Sequence, residues 1–147
     1  MEAKGYVRTP DDGEVLPWGP AQQLIVKVSS ETAGGHFDLM YNRNPEGDKI
    51  GMHVHQKQNE VFWVLEGEYT VRCGDDTFLA TPGSMVFVPM GVPHGFSSEQ
   101  PSAKLTMSSP GGLDGFFRDM SAAIMSGQMN KEEMNKIAAA HDMISLE

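Results

Sequence analysis

Apolar and polar residues alternate in several short stretches between residues 22 and 110. The clearest are 22–29 and 35–42, and turn residues such as Pro45 and Gly47 separate them from the stretch that follows. Alternation with a period of two is typical of strands that bury one face. Further strands are predicted at 60–65, 68–73, 77–80, 86–88, 95–97 and 103–108. Many short strands at close intervals predict an all-β barrel or sandwich.

The apolar period lengthens to about four near the end of the sequence. Phe116, Met120 and Ile124 recur at this spacing and predict a helix over 114–126. A second helix is predicted over 131–143. We expect both helices to pack on the outside of the barrel, with their apolar stripe against the chain's own sheet or a second subunit rather than serving as a lid.

No linker, internal repeat or low-complexity tract divides the chain into two domains. Residues 1–21 are rich in proline, glycine and aspartate, and this composition predicts an N-terminal arm laid over the barrel or over a partner subunit. Within it, Trp18 is expected to act as an anchoring contact. The barrel is expected over 22–110 and the C-terminal helices over 111–147. A chain of 147 residues is one domain of ordinary size.

The composition excludes several classes of function. Eleven basic and twenty acidic residues give a net charge of −9, which repels nucleic acid and anionic membrane surfaces. No apolar run approaches the roughly 20 residues that cross a bilayer. The single cysteine, Cys73, cannot form an internal disulfide, and the first residues lack the pattern of a secretory signal. We therefore expect a cytoplasmic protein with no nucleic acid or membrane partner.

Four potential metal ligands fall on predicted strands. His53 and His55 stand two residues apart, so on a strand both imidazoles leave the same face, with Cα atoms roughly 6–7 Å apart. After a polar turn at 56–59, Glu60 opens an apolar run that we expect to be the antiparallel partner strand, which would return the carboxylate beside the histidines. His94 follows another strand and a turn set by proline and glycine.

Three imidazoles and one carboxylate suit one divalent transition-metal ion per chain: iron, manganese, nickel, cobalt, copper or zinc. Four protein ligands leave an open position on an ion that takes five or six, and metal catalysis needs such a position. The alternatives are ordinary polar strand residues or a closed zinc site that only supports the fold, although structural zinc sites rely heavily on cysteine. His36 and His141 fall outside this pattern and are not counted as ligands.

The glycines and prolines around these residues repeat the spacing of two motifs of the cupin superfamily. The first motif is resembled by Gly47, five residues, His53, one residue, His55, four residues, Glu60, six residues and Gly67. The second is resembled by Gly83, five residues, Pro89, one residue, Gly91, two residues and His94. Ser98 stands where the second motif often closes with asparagine, a position that is not a metal ligand in the family.

The resemblance covers roughly residues 22–110 and implies the cupin jelly-roll barrel with a C-terminal helical extension. It also implies that the metal lies inside the barrel, held by His53, His55, Glu60 and His94. Cupins of this type mostly pair through sheet edges or swapped N-terminal arms, so the resemblance further implies a homodimer.

The run of residues 60–68, the Ser-Pro-Gly-Gly sequence at 109–112 and the helices after the barrel resemble the small single-domain quercetin-dioxygenase-like group. That resemblance implies a metal-dependent dioxygenase that acts on a small aromatic, enol or diketone substrate with dioxygen. Glu60 would then be catalytic, because a carboxylate at the edge of a coordination shell can accept the substrate's hydroxyl proton. This role requires burial to raise its pKa toward neutrality.

Two other functions stay open. One is a non-oxidative metal cupin, such as a polyketide cyclase, isomerase or lyase, in which the ion polarises a carbonyl group. The other is a small-ligand-binding module without turnover. In each case we expect an apolar cavity suited to a flat organic molecule. Its lining is expected to be drawn from Met40, Met52, Phe62, Val64, Met85, Phe87, Met90, Phe96 and Met107.

Overall fold

The alternating stretches form eleven strands within residues 4–19 and 22–147, the part of the chain that the computed structural model describes. Residues 1–3 and 20–21 of the predicted arm lie outside the described residues. The strands are β1 (Glu14–Val15), β2 (Gln23–Val28), β3 (Asp38–Asn44), β4 (Asp48–Val54), β5 (Asn59–Glu66), β6 (Tyr69–Cys73), β7 (Asp76–Ala80), β8 (Met85–Val88), β9 (His94–Ser98), β10 (Ser102–Ser109) and β11 (Ile144–Ser145). Two helices, α1 (Leu113–Met125) and α2 (Lys131–Ala140), lie between β10 and β11.

Two antiparallel sheets make up the barrel. One has six strands in the order β1-β2-β3-β10-β5-β8, and the other has five in the order β11-β4-β9-β6-β7. Inward residues alternate with outward ones, as in β5, where Glu60, Phe62 and Val64 are buried. The predicted all-β barrel with C-terminal helices is confirmed.

Strands β4 and β5 lie in different sheets, so the prediction that they form one antiparallel hairpin is wrong. β4 pairs with β9 and β11, whereas β5 pairs with β10 and β8. Residues 55–58 carry the chain from one sheet to the other. An alternating pattern identifies a strand and its buried face but does not name its partner. Glu60 therefore faces the histidines from the other sheet.

Two of the motif glycines occupy turns that exclude a side chain. Gly47, between β3 and β4, has φ 101°, and a Cβ there would collide with the carbonyl oxygen of Ser98. Gly67, between β5 and β6, has φ 76°, and a Cβ would meet the carbonyl oxygen of Pro101. Both backbones are in the left-handed region that favours glycine. The two glycines of the first motif therefore mark the turn before β4 and the turn after β5.

Residues 4–19 lie along β2 and are held there by a buried lysine. β1 pairs with β2, and the Lys27 ammonium, whose residue is 8% exposed, donates hydrogen bonds to three main-chain oxygens. These belong to Thr9 (2.9 Å), Pro10 (2.8 Å) and Asp12 (2.7 Å). Burial lowers the pKa of Lys27. Further along this segment, Trp18 packs on Phe117 of α1, with ring centroids 5.3 Å apart, which is the anchoring contact predicted for it.

The start of α1 is capped from the barrel. Gly112 offers no side-chain cap, and instead the Asp38 carboxylate of β3 accepts hydrogen bonds from the Gly112 and Asp114 N–H groups, each at 3.0 Å. A carboxylate satisfies the unpaired N–H groups at a helix N-terminus and complements the helix dipole. Helix and sheet are therefore joined by a buried polar contact as well as by packing.

The second helix begins as the sequence indicates and ends earlier. The Asn130 side chain caps it by accepting a hydrogen bond from the Glu133 N–H at 2.8 Å. The helix ends at Ala140, three residues before the predicted boundary, and the chain then turns through Asp142 into β11. Strand β11 was not predicted.

Helix α1 packs against β3, and α2 packs against α1 and β11. The buried apolar cluster that joins helices, strands and arm consists of Leu16, Leu24, Val26, Met40, Leu113, Phe116, Met120, Ala123, Ile137 and Ala138. This agrees with the expected packing on the chain's own sheet. Among the described residues, neither helix is long and apolar enough to span a membrane.

Candidate metal centre

The paired strands β4 and β9 place three imidazoles together. His53 lies near the end of β4 and His55 follows the strand directly, with ring centroids 5.0 Å apart. Residues two apart on extended chain share a face, so the spacing in the sequence produces this proximity. His94 opens β9 as the register partner of His53, and their ring centroids are 4.2 Å apart.

Glu60 completes a buried cluster from the other sheet. Its Oε2 lies 3.3 Å from Nε2 of His55 and 3.3 Å from Nε2 of His94. The four residues, His53 among them, are only 2% to 5% exposed. One candidate ligand atom from each lies within 4.8 Å of all the others. The structure thus brings together all four residues that the sequence singled out.

Main-chain carbonyl groups fix which nitrogen of each ring faces the centre. The Nδ1 atoms lie beside the carbonyl oxygens of Gly51 for His53 (2.8 Å), Asp142 for His55 (3.0 Å) and Val92 for His94 (2.9 Å). A carbonyl oxygen only accepts, so each Nδ1 carries the proton. The Nε2 atom of each ring is left for the centre. Metal-binding histidines are commonly oriented in this way.

The electrostatics of the cluster favour neutral His53 and ionised Glu60. Burial lowers the pKa of His53 to about 4, and the neighbouring His94 adds to the effect. Burial also opposes protonation of His55, but its contacts with Glu60 and Asp142 outweigh burial and raise its pKa.

Two opposing influences act on the pKa of Glu60. Burial works to raise the pKa of its carboxyl group, as anticipated. When His55 and His94 also carry a proton on Nε2, their hydrogen bonds to Glu60 outweigh burial and hold its pKa well below its usual range. With protons on both imidazoles the carboxyl group of Glu60 therefore favours its ionised form, and its catalytic role stays a prediction.

The donor set fits one divalent transition-metal ion. Metal–nitrogen and metal–oxygen bonds of about 2.0–2.2 Å place neighbouring ligand atoms of one ion about 3 Å apart and opposite ones about 4 Å apart. The 3.3 Å separations within the cluster and the 4.8 Å limit match these spacings after small side-chain shifts. Imidazole nitrogen with carboxylate oxygen suits any of the six candidate metals, and the set does not choose among them.

A cavity of about 130 Å³ opens beside the cluster. His53, His55 and Glu60 form one part of its wall. Apolar side chains from the strands, the arm and the helices line much of the rest: Trp18, Leu24, Met40, Ile50, Phe96, Leu113, Phe116, Phe117 and Met143. The helices thus supply part of the cavity wall in addition to packing on the sheet.

The cavity is lined differently from the expected set of methionines and aromatic residues. Of that set only Met40 and Phe96 line it. Met85 and Phe87 lie on the exposed face of β8, with 55% and 53% exposure. The correction follows from strand phase, because β8 buries its two valines and turns the larger residues outward.

Lys104 is a charged residue of the cavity wall that the sequence motifs did not indicate. The Lys104 ammonium lies 2.6 Å from the Asp48 carboxylate, 3.3 Å from the Asn42 side-chain oxygen and 4.3 Å from the centroid of the Phe96 ring. All four residues line the cavity. The available signal was the phase of β10, where Lys104 shares the buried face with Thr106.

Comparison with known proteins identifies related sequences. A family profile described as the cupin domain matches residues 40–108, a range that contains all four clustered residues. Quercetin 2,3-dioxygenase of Bacillus subtilis is 28% identical over 116 residues, which cover 78% of this chain and 34% of the relative. The chain thus spans about a third of the length of this curated relative.

Solved structures share the fold at lower sequence identity. KdgF from a Halomonas species is 17% identical with a TM-score of 0.64, and the match covers 75% of this chain and 99% of that one. An RmlC-like cupin from Shewanella frigidimarina is 19% identical with a TM-score of 0.62, covering 78% of this chain and 99% of that one. These similarities concern the fold alone.

Proposed function

The chain belongs to the cupin superfamily, and from that premise we propose that it is a metal-dependent dioxygenase acting on a small aromatic, enol or diketone molecule. The observation that carries the proposal is the buried cluster of three imidazoles and one carboxylate on the cavity wall. The activity named for the Bacillus relative supports the oxidative reaction.

The chain's own residues supply ligands and a shielded space. A bound divalent transition-metal ion would supply Lewis acidity and, where the ion is redox-active, electron transfer to dioxygen. His53, His55 and His94 present Nε2, and Glu60 presents a carboxylate. The apolar wall, including Phe96, excludes water and offers its surface to a flat ring.

Glu60 is proposed as ligand and proton acceptor. Its low pKa favours the ionised form, which suits a ligand and makes a weak base. When His55 and His94 coordinate an ion through Nε2, neither ring can donate a hydrogen bond to Glu60 from that atom, so the contacts that lower the pKa of Glu60 are absent. A bound ion itself favours the ionised carboxylate, and once the carboxylate is free of the ion's charge, burial raises its pKa, so that it can accept the hydroxyl proton of a substrate.

The polar cluster in the cavity supports a substrate with a second oxygen atom. Lys104 and Asp48 together offer a donor and an acceptor with no net charge, and the Asn42 amide adds a further polar group. A hydroxyl or carbonyl group matches such a pair better than a carboxylate or phosphate does, because no excess positive charge is available. A polyhydroxylated aromatic molecule or a diketone meets this requirement.

The test combines metal analysis with oxygen consumption. The full chain is purified without added metal and its metal content measured. Oxygen uptake is then followed with flavonols, catechols and β-diketones in the presence of each of the six candidate ions. We expect about one ion per chain and substrate-dependent oxygen uptake.

Other outcomes distinguish the competing functions. Tightly held zinc, no oxygen uptake and a product of unchanged mass would replace the dioxygenase with an isomerase or cyclase. Thermal stabilisation by a compound that is not converted would identify a binding module. The homodimer and the cytoplasmic location stay predictions, which sedimentation and cell fractionation would test.

A further inference from the structure

The three imidazoles of the metal centre are not oriented in the same way. His53 and His94 each donate Nδ1–H to the carbonyl oxygen two residues before them, Gly51 and Val92. These contacts form whenever the local chain is in place. His55 instead donates to the carbonyl oxygen of Asp142, which is 87 residues away. One ligand thus depends on a distant segment.

Asp142 accepts three hydrogen bonds from the segment that begins at His55. Its carbonyl oxygen accepts from the His55 ring at 3.0 Å. Its carboxylate accepts hydrogen bonds from the Gln56 N–H at 3.0 Å and the Lys57 N–H at 2.7 Å. Side chain and main chain of one residue therefore hold both the ligand and the turn that follows it.

The segment around Asp142 is itself fixed in place. Asp142 has φ 57°, a left-handed conformation that aspartate adopts more readily than most residues. Beyond it, Ile144 and Ser145 pair with Val54 and His53 of β4. The described chain after α2 therefore runs beside β4, the strand that carries His53 and leads directly into His55.

We propose that Asp142 is a positioning residue of the metal centre, holding His55 in the ring orientation and tautomer that direct Nε2 inward. The inference rests on the metal binding included in the proposed function, but not on turnover or on any substrate. A buried acceptor on Nδ1 restricts ring rotation and increases the basicity of the coordinating nitrogen. The carboxylate contributes by preventing the turn at Gln56 and Lys57 from moving away.

Two substitutions at Asp142 distinguish the effect of losing the carboxylate from the effect of straining the backbone, which has φ 57° at this residue. Asp142→Gly removes the carboxylate while tolerating the positive φ, so the backbone conformation stays accessible. Asp142→Asn is the conservative variant, because asparagine tolerates this conformation and keeps one acceptor oxygen. Asp75→Gly makes the same change at an exposed turn and serves as the matched control.

Two measurements on the full chain report on the centre without enzyme activity. Zinc affinity is measured by competition with a chromophoric chelator. Long-range proton–nitrogen spectra of the histidine rings, recorded without and with Zn²⁺, show which ring nitrogens carry protons and how fast these exchange. A purely structural role would alter all three imidazoles together, whereas the positioning role concerns His55.

Asp142→Gly keeps the carbonyl acceptor of His55 but releases the turn at Gln56 and Lys57, so we expect zinc binding to weaken by about 10-fold, the lower end of the range seen when a supporting contact is lost. The Nδ1 proton of His55 should exchange faster while those of His53 and His94 are unchanged. Asp142→Asn should recover most of the affinity, and Asp75→Gly should match the wild type.

Three results would overturn the inference: wild-type behaviour of Asp142→Gly, equal loss of protection at all three rings, or failure of this variant to fold as judged by circular dichroism. A wild type that binds no metal contradicts the metal centre itself. In that case the spectra without Zn²⁺ still decide whether Asp142 orients His55, so the two failures are distinguishable.

Discussion

His53 and His94 are register partners on neighbouring antiparallel strands, and their rings are 4.2 Å apart by centroid. Side chains directly opposite each other on one face are the closest pair that a sheet offers. Each ring also has its own local carbonyl acceptor. The sheet therefore fixes two of the four candidate ligands before any loop or side-chain adjustment is considered.

Replacing His94 with alanine should abolish tight metal binding. The variant loses one of three imidazoles from a site whose other members cannot move closer without distorting β4. We expect affinity for Zn²⁺ to fall by at least about 100-fold, the upper end of what losing a supporting hydrogen bond costs. Chelator competition and elemental analysis after dialysis measure the effect.

The exposed His36 provides the control for that experiment, since His36→Ala removes an imidazole that lies outside the cluster. Equal metal content in wild type, His36→Ala and His94→Ala would show that the ion binds elsewhere.

Replacing Glu60 with glutamine should separate metal binding from turnover. The amide keeps an oxygen that can ligate, so we expect metal affinity within about tenfold of wild type. It cannot accept a proton as a carboxylate does, and most of the turnover should be lost, because general base catalysis contributes typically 10²–10⁴-fold. The measurements are metal affinity and the rate of substrate-dependent oxygen uptake.

Glu66→Gln is the matched control on the same strand, where the carboxylate forms a half-exposed ion pair with Arg43. Parallel loss of metal and activity in Glu60→Gln would mean that the carboxylate serves only as a ligand.

The cluster could be predicted from the sequence because its information is local. Two histidines with one residue between them share a face, and glycines at fixed positions mark the turns that flank the strands. The local pattern does not indicate which strands pair with each other. Glu60 was expected beside the histidines in a hairpin, yet it reaches them from the other sheet. The sequence correctly predicted that the four side chains lie close together, but it assigned Glu60 to the wrong sheet.

The buried pair of Lys104 and Asp48 should be strongly coupled in stability. Their side chains are 7% and 12% exposed, so removing one charge leaves the other poorly solvated. Lys104→Met alone should lower the unfolding free energy by about 3–5 kcal/mol, the usual cost of breaking a buried ion pair. Adding Asp48→Asn should recover part of this loss.

A double-mutant cycle in urea provides the test. Effects of the two substitutions that simply add would show that the 2.6 Å contact contributes no net interaction energy.

The Asp114 carboxylate should make stability depend on pH. Burial works to raise its pKa, but the Ser30 N–H at 3.0 Å and the Arg118 guanidinium at 2.8 Å outweigh burial and lower it below 3.8. A folded-state pKa below the unfolded one gives stabilisation that is present above the unfolded value and lost as pH falls through the folded value. Asp114→Asn should therefore cost about 1–3 kcal/mol at pH 7.

The difference in unfolding free energy between wild type and Asp114→Asn should shrink as the pH falls below about 5, because the unfolded carboxyl group begins to bind protons there. Urea unfolding at a series of pH values measures it, with Asp75→Asn as the exposed control. A difference that stays constant across this range, or grows toward acid, would contradict the ion pair as its source.

Asp142 and Lys104 show what the sequence could not reveal. The sequence pattern placed Asp142 inside the second predicted helix, and its contact with the His55 ring uses a main-chain carbonyl oxygen, which every residue possesses. The alternation along β10 placed Lys104 on the buried face of the strand. Its partner Asp48 is 56 residues away in the sequence, so the pattern could not identify it. Both depend on tertiary contacts between segments far apart in the chain, for which a periodic pattern carries no signal.

The contact between His55 and Asp142 also sets an order of events during synthesis. The four candidate ligands leave the ribosome well before the residue that orients one of them, because Asp142 follows His94 by two helices. A nascent chain that already exposes every ligand still lacks the hydrogen bond that restrains His55. That hydrogen bond therefore forms only after both helices have been made and the segment around Asp142 has reached β4.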